Sequence, residues 1–238
     1  MNTTALNSEI EVLFKAGAHI GYGKERRHPK MKPFIFGVRN NIEIFDLEKT
    51  LAKLKESEEF VKSLGAGGKI VLFVGTKPAS SSQIESVGKR LGMPYVSERW
   101  LGGTITNFKV IESRLIYLDG LEREANSGEL EKYVKKERLD KMAEIRKLSR
   151  MLGGIRSLKR LPDAIFIVDP MEEKTAFSEA RRKNLPIVAL LNTDCNPEGI
   201  SHPIPANDNS AAVVSIVLER IAAAYEKGKN EKAAASTQ

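Results

Sequence analysis

The sequence has very little cysteine and no long run of apolar residues. Cys195 is the only cysteine among 238 residues, which excludes an internal disulfide framework and any metal knuckle built from several cysteines. No stretch reaches the apolar length of a membrane-spanning helix, and the first residues lack the basic region and apolar core of a secretory signal. We therefore expect a soluble protein of the reducing cytoplasm with no membrane partner.

The motifs of common enzyme classes are also missing. No phosphate-binding loop or glycine fingerprint of a dinucleotide site follows a predicted strand, and no nucleophile elbow or paired-histidine zinc motif occurs. No histidine lies near Cys195 in the chain, so we interpret its thiol as buried and inert. The sequence predicts no catalytic residue, no cofactor and no metal. A nucleotide- or metal-dependent enzyme remains the alternative hypothesis, because an α/β sheet supports many chemistries.

Three continuous apolar runs, rich in β-branched residues, dominate the chain at 69–76, 164–168 and 187–191. Such runs are typical of strands that are buried on both faces of a parallel sheet. Segments with helical spacing separate or flank these runs, at 47–64, 78–91, 172–183 and 210–226. The alternation predicts stacked βαβ units in an α/β fold, with the three runs as parallel strands. We expect 194–209 to be a long loop.

Three aspartates come after predicted strands in the chain and should share one edge of the predicted sheet. Asp169, Asp194 and Asp208 should lie near its C-terminal edge, within possible reach of His19. A structural metal or a pair of acids there is one interpretation. The other is that these aspartates cap helices and stabilise turns, as they more often do at such edges.

Most of the formal net charge of +7 can come from one segment. Residues 15–39 hold seven Lys and Arg residues against one acid, among glycines, prolines and the rings of Tyr22 and Phe34. Cations spaced in this way can follow a phosphate chain while rings stack on bases, although a solvated charged loop is the alternative. We predict an extended RNA-binding loop that leads into a hairpin of two short strands around Arg39-Asn-Asn41.

A second candidate contact lies at Arg99 and Trp100, beside paired glycines. The indole ring could stack on a base, although a single tryptophan more often belongs to the core. The predicted RNA-binding residues are Lys24, Arg26, Arg27, His28, Lys30, Lys32, Arg39, Arg99 and Trp100.

The segment 105–154 reads as an antiparallel helical hairpin. Apolar residues recur at helical spacing on both sides of Asn126-Ser-Gly128; the first set is Phe108, Ile111, Leu115 and Leu118, and the second is Leu139, Met142, Ile145, Leu148 and Leu152. The heptad-type spacing and mixed charge predict a coiled coil inserted into the α/β fold, and leave open whether it contacts RNA. We divide the chain into a basic N-terminal extension (1–40), an α/β domain (41–104 and 155–227), the insertion (105–154) and a flexible tail (228–238).

Several stretches together resemble a known family. The most specific is Arg99-Trp-Leu-Gly-Gly-Thr-Ile-Thr-Asn107; the others lie at 16–21, 28–40, 73–77, 161–169, 192–194 and 204–208. In order and spacing, from about residue 8 to 226, they resemble the second protein of the bacterial small ribosomal subunit. One departure is Tyr22, which stands where many members have histidine.

This resemblance implies a flavodoxin-like, doubly wound parallel sheet with an inserted coiled-coil hairpin. It also implies a non-catalytic protein of the cytoplasmic ribosome that contacts 16S rRNA between the head and body of the small subunit. There it would neighbour other small-subunit proteins and support docking of the large mRNA-binding first protein. Which nucleotides are contacted does not follow from the sequence.

Overall fold

The computed structural model describes residues 3–235. Within that range the chain forms seven α-helices and eight strands. The helices are α1 (Thr3–Lys15), α2 (Leu47–Gly67), α3 (Ser81–Leu91), α4 (Phe108–Asn126), α5 (Lys135–Leu152), α6 (Lys174–Arg182) and α7 (Ala211–Ala235). The strands are β1 (Ile20–Gly23), β2 (Ile35–Arg39), β3 (Ile42–Phe45), β4 (Val71–Val74), β5 (Tyr95–Val96), β6 (Ala164–Val168), β7 (Ile187–Leu191) and β8 (His202–Pro205). No helix in the described range is long and apolar enough to cross a membrane.

Five strands form the main sheet, in the order β5-β4-β6-β7-β8, and every neighbouring pair is parallel. All side chains of β4, β6 and β7 are buried, as expected when helices cover both faces of a sheet. The predicted parallel arrangement of the three apolar runs is therefore confirmed. Taken in chain order within this sheet, the strands run 2-1-3-4-5, which is the flavodoxin-like order.

The prediction that 194–209 is a loop was wrong at its centre, because β8 pairs there with β7. Pro203 and Pro205 concealed this strand, since proline lacks the N–H group that a ladder needs. The two prolines occupy alternate positions, so their missing donors fall on the same side of the strand. An edge strand has one unpaired side, and β8 is an edge of the main sheet.

A second, antiparallel sheet of three strands has the order β1-β3-β2. The predicted hairpin of β2 and β3 is confirmed, and its turn residues Asn40 and Asn41 both have positive φ, of 50° and 63°. Two consecutive residues of this conformation are typical of the tight turns that match strand twist. The prediction that the basic segment is an extended loop was wrong, because the segment contains β1 and 3-10 turns at Lys24–Arg26 and Pro29–Phe34.

The core lies on both faces of the main sheet. One layer joins the sheet to α1, α2, α3 and α7, and includes Leu13 and Ala18 from the N-terminal part of the chain. The other layer joins it to α6, to the near end of α4 and α5, and to Trp100 and Met31. Leu13 and Met31 are buried, so the first forty residues are anchored to both layers of the core.

Helices α4 and α5 pack against each other through Ile111, Leu115, Leu118, Leu148 and Leu152, which are buried. Their cross-helix hydrogen bonds, Tyr117 to Glu144 and Lys141 to Glu124, join residue numbers that run in opposite directions, so the helices are antiparallel. The predicted apolar stripe of α5 is buried only at one end, since Leu139 is 57% exposed and Met142 is 40% exposed.

Helix α7 continues past Gly228 to Ala235, beyond the predicted end at residue 226. Gly228 does not end the helix but lets it approach α2 closely. A Cβ atom at Gly228 would overlap the carbonyl oxygen of Lys62, and one at Gly65 would overlap the carbonyl oxygen of Tyr225. The two glycines thus allow the backbones of α2 and α7 to touch.

We predict that Gly65→Ala lowers the free energy of unfolding by about 1–3 kcal/mol, because the new methyl group would overlap the backbone of α7. Gly120→Ala is the matched control, since a Cβ there meets no atom within 4 Å in the interior of α4. It should stabilise the protein by up to about 1 kcal/mol, the usual helix-propensity gain. Urea unfolding measures both; equal effects of the two substitutions would contradict the close contact.

Candidate nucleic-acid interface

The basic segment is held over the carboxyl edge of the main sheet by Thr193, which follows β7. The hydroxyl oxygen of Thr193 accepts a hydrogen bond from the Tyr22 backbone N–H at 3.0 Å, and its carbonyl oxygen accepts one from the His28 backbone N–H at 2.8 Å. Gly21 lies so close to Thr193 that a Cβ atom there would be 2.6 Å from its methyl group. These contacts give the segment a fixed path across the sheet edge.

Three of the predicted RNA-binding cations already have partners within the protein. The pairs are Arg26 with Asp194, Arg27 with Glu43, and Lys30 with Glu198. The nitrogen–oxygen distance is 3.4 Å in the first pair and 3.0 Å in the second. Glu43 lies in β3, and Asp194 and Glu198 follow β7. Because these acids belong to other parts of the fold, the pairs also fix the path of the segment.

Arg27 is the least available of these cations for binding RNA, because its partner Glu43 is fully buried. Burial raises the pKa of the Glu43 carboxyl, and the nearby Arg27 guanidinium opposes that rise. Removing Arg27 would leave a buried carboxylate without its partner, which is costly. We therefore assign Arg27 to holding the small sheet in place.

His28 also has a structural contact. Its Nδ1 accepts a hydrogen bond from the Lys30 backbone N–H at 3.3 Å and so caps the 3-10 turn at Pro29–Phe34. This turn places Met31 in the core and leaves Lys32 exposed.

Four of the predicted cations are exposed and have no ion pair among the described residues: Lys24, Lys32, Arg39 and Arg99. Lys24 and Arg39 lie at the same end of the small sheet, because the Lys24 backbone N–H donates to the carbonyl oxygen of Asn41, in the turn that follows Arg39. Lys32 lies in the 3-10 turn that leads into β2. Three of the four available cations, Lys24, Lys32 and Arg39, therefore belong to the small sheet and the turns beside it, and Arg99 lies apart from them in the chain, between β5 and α4.

The ring that is best placed to stack is one that sequence reasoning did not select. Phe36 in β2 is 81% exposed. Tyr22 is covered by the Arg26 guanidinium, 4.2 Å from the ring centre, and Phe34 is partly buried. Phe36 lies at an irregularity in the pairing of β2 with β3, between Ile35 and Gly37, so the simple alternation of a strand did not signal its exposure.

The outer face of the small sheet is apolar with a charged rim. Ile20 lies opposite Ile44, and Arg39 lies opposite Ile42, so these four side chains share one face. Ile20 and Ile42 are exposed. A surface of this composition can hold unstacked bases while its cations contact phosphates.

Trp100, the other predicted stacking ring, is only 8% exposed. Its indole Nε1 donates to the Glu179 carboxylate at 3.0 Å. The structure thus places the ring in the core, the alternative that the sequence left open, while its neighbour Arg99 remains at the surface.

Two of the three aspartates at the sheet edge meet around a lysine, and the third, Asp194, pairs with Arg26. Lys77, which follows β4, forms ion pairs with Asp169 and, at 3.0 Å, with Asp208. Burial and the neighbouring Asp169 raise the pKa of Asp208, while the Lys77 ammonium opposes that rise. Among the described residues no group of three or more histidines, cysteines or acids could hold a metal ion. The negative charge at this edge is balanced in part by the protein's own cations, Lys77 and Arg26.

Cys195 lies beside this cluster. It is buried, and its thiol faces Asp169 at 3.5 Å. Burial and the neighbouring carboxylates raise the pKa of the thiol well above its usual range. The prediction that the thiol is buried is confirmed, and its raised pKa is consistent with the prediction that it is inert.

Lys77→Met should destabilise the protein at neutral pH by about 3–5 kcal/mol, because it leaves two buried carboxylates without their cation. Without Lys77 the pKa of both carboxyls rises, and ionised buried acids then oppose folding. The deficit should therefore shrink as the pH falls from 7 toward 5. Adding Asp208→Asn should recover part of the stability, since one buried charge is removed. Urea unfolding at several pH values measures this; a destabilisation below about 1 kcal/mol at pH 7 would contradict the role of Lys77.

Comparisons with known proteins show to which sequences this chain is similar. A family model described as "Ribosomal protein S2" matches residues 13–228. A protein named "Small ribosomal subunit protein uS2" from Dictyoglomus thermophilum is 44% identical over 221 residues, which are 93% of this chain and 90% of that protein. A protein of the same name from Roseiflexus sp. is 42% identical over 223 residues, which are 94% of this chain and 85% of its own length.

Proposed function

The chain belongs to the ribosomal protein S2 family, and from that premise we propose that it binds 16S rRNA between the head and body of the small subunit. Members of this family are structural proteins of the small ribosomal subunit that serve translation, and they are not enzymes. We further propose that the chain works in the cytoplasmic ribosome and supports docking of the large mRNA-binding first protein.

The observation that carries the RNA proposal is the cluster of unpaired cations around the small sheet. Lys24, Lys32 and Arg39 are exposed without an ion pair among the described residues, and Phe36 lies exposed between Lys32 and Arg39 in the chain. A phosphate chain would gain from these cations without displacing an internal acid. Paired cations such as Arg26 and Lys30 must first give up a carboxylate partner, so they contribute less.

The alternative hypothesis, a nucleotide- or metal-dependent enzyme, has less support than RNA binding. In a doubly wound sheet, ligands bind in the crevice at the carboxyl ends of the strands, where the strand order reverses. Here that crevice lies between β4 and β6, and Lys77 and Asp169 from the ends of those strands pair across it. The site that an enzyme of this fold would use is filled by an internal ion pair.

We propose that the hairpin of α4 and α5 is a coiled-coil insertion whose outer end meets protein neighbours. The hairpin exposes the apolar side chains of Ile116, Val134, Leu139 and Met142 among charges of both signs. Exposed apolar side chains favour a protein contact, and mixed charge is less suited than net positive charge to an RNA backbone. The N-terminal basic region (1–40) and the α/β domain (41–104 and 155–227) stay as proposals. The prediction of a flexible tail (228–238) was wrong for residues 228–235, which continue α7.

The proposal predicts that the triple variant Lys24→Ala, Lys32→Ala, Arg39→Ala binds 16S rRNA more weakly and with a flatter salt dependence. Removing one phosphate contact should reduce the slope of log affinity against log salt by about 0.7–0.9, so removing three should reduce it by about 2–3. Filter binding over a series of salt concentrations gives both quantities. The unfolding free energy should change little, because these side chains make no ion pair among the described residues.

The matched control removes three exposed lysines from the hairpin, with the substitutions Lys132→Ala, Lys135→Ala and Lys136→Ala. It changes the net charge by the same amount, so any non-specific effect of charge appears in both variants. We expect the control to keep most of the wild-type slope. A larger reduction of the slope in the hairpin variant would place the RNA interface on the hairpin, and an unchanged slope in both would contradict RNA binding by this chain.

A further inference from the structure

Glu179 in α6 is a buried acid that receives an unusual number of hydrogen bonds. It is 5% exposed. Its Oε1 accepts from the indole Nε1 of Trp100 at 3.0 Å and from the backbone N–H of Gly103 at 2.7 Å. Its Oε2 accepts from the backbone N–H groups of Ile105 and Thr106 and from the Thr106 hydroxyl, each at 3.0 Å. One side chain thus binds five donors.

All five donors come from a single stretch of chain, 99–107, and all are neutral. Burial alone would raise the pKa of the Glu179 carboxyl, but the hydrogen bonds from Trp100, Thr106, Gly103 and Ile105 lower it below its usual range. No lysine or arginine pairs with Glu179 among the described residues. The carboxylate is therefore stabilised in its charged form by the loop itself.

Apart from the burial of Trp100, Thr104 and Ile105, this stretch has few other means of holding its shape. It connects the two-residue strand β5 to α4, and it contains no strand or helix of its own. Gly103 has a φ of +93°, which favours glycine, and Thr104 closes a local turn by donating to the Leu101 carbonyl oxygen. Asn107, the residue before α4, makes no side-chain hydrogen bond to the helix end. Glu179 is the contact that spans the whole loop.

We propose that Glu179 is the positioning residue of this loop, which fixes where α4 leaves the sheet and how Arg99 is presented at the surface. The backbone N–H groups of Ile105 and Thr106 immediately precede α4, so binding them to α6 sets the direction in which the hairpin begins. Trp100 is bound by the same carboxylate, so its neighbour Arg99 is held outward. The first part of this role is independent of RNA, and the second part rests on the proposed function.

The geometry requires a carboxylate and not an amide. In Glu179→Gln, one oxygen becomes an NH₂ group, which would face two or three N–H and O–H donors and could accept from none of them. Such a substitution preserves size and removes one of the two acceptor oxygens, so it leaves two or three buried donors unsatisfied. Glu172→Gln is the matched control, because it makes the same change of charge close to α6. Glu172 is exposed, and its side chain accepts no hydrogen bond among the described residues.

Trp100 is the only tryptophan of the chain, so its fluorescence reports on the loop. In the full-length protein we expect Glu179→Gln to shift the emission to longer wavelength and to increase quenching by acrylamide, while the far-ultraviolet circular dichroism remains native. Glu172→Gln should leave both signals unchanged, and Glu179→Asp, which keeps two acceptor oxygens, should give an intermediate shift. An emission spectrum of Glu179→Gln identical to that of the wild type would overturn the proposal.

A measurement on the unaltered protein covers the case in which Glu179→Gln does not fold. The backbone N–H groups of Gly103, Ile105 and Thr106 are bonded to Glu179. In amide hydrogen exchange they should be protected, and by more than the amide of exposed Gly102 in the same loop. Equal exchange at all four amides would overturn the proposal.

The consequence for RNA is tested separately, by a double-mutant cycle of Glu179→Gln with Arg99→Ala. If Glu179 acts through Arg99, each single variant lowers the salt slope of 16S rRNA binding by about 0.7–0.9, and the double variant lowers it no further. Independent, additive reductions would overturn the link to Arg99. A red-shifted Trp100 with no change in RNA binding would show that Glu179 positions the loop but that Arg99 does not contact RNA. Failure of the proposed function and failure of the positioning role are thereby distinguished.

Discussion

The structure depends on three strands that are buried on both faces. Because β4, β6 and β7 carry no exposed side chain, the polar residues that follow them must find partners at the ends of the sheet. At the carboxyl edge Lys77 forms ion pairs with Asp169 and Asp208, and Thr193 holds the basic segment. The same edge that binds ligands in many α/β proteins is here occupied by internal contacts. This constraint moves any interface away from the main sheet and onto the small sheet, the loop at 99–107 and the hairpin.

Internal pairing decides which cations are available to a partner. A net charge of +7 and a basic segment are visible in the sequence, but the structure separates that charge into two groups. Arg26, Arg27 and Lys30 pair with acids and fix the segment to the protein. Lys24, Lys32 and Arg39 have no such partner among the described residues and surround an exposed sheet face. The number of basic residues therefore overestimates the available charge, and the unpaired cations delimit the interface that we propose.

Much of the fold could be predicted from local pattern, because buried parallel strands and their helices leave a strong periodic signal. Strands β1 and β8 could not, since two of the four residues of β1 are glycines and two of the four residues of β8 are prolines. The end of α7 was also missed: Gly228 resembles a helix stop, but it serves a close approach to Lys62, which lies far earlier in the chain.

The candidate site was harder to predict than the fold, because its contacts join residues that are far apart in the chain. The acids that pair with Arg26 and Lys30 lie 168 residues away in the chain, and no local pattern reveals them. Trp100 beside glycines looks like a surface ring until its partner Glu179 is known. Partners distant in sequence decide whether a charge or a ring is available, and only the folded chain brings them together.

The most direct test of RNA binding through the small sheet is to measure which lysines RNA protects. The free protein and its complex with naked 16S rRNA are treated briefly with an acetylating reagent, and the modification of each lysine is quantified by mass spectrometry. We predict that Lys24 and Lys32 are protected in the complex, whereas the exposed hairpin lysines Lys132, Lys135 and Lys136 react as they do in the free protein. Protection of the hairpin lysines with full reactivity at Lys24 and Lys32 would contradict an interface on the small sheet.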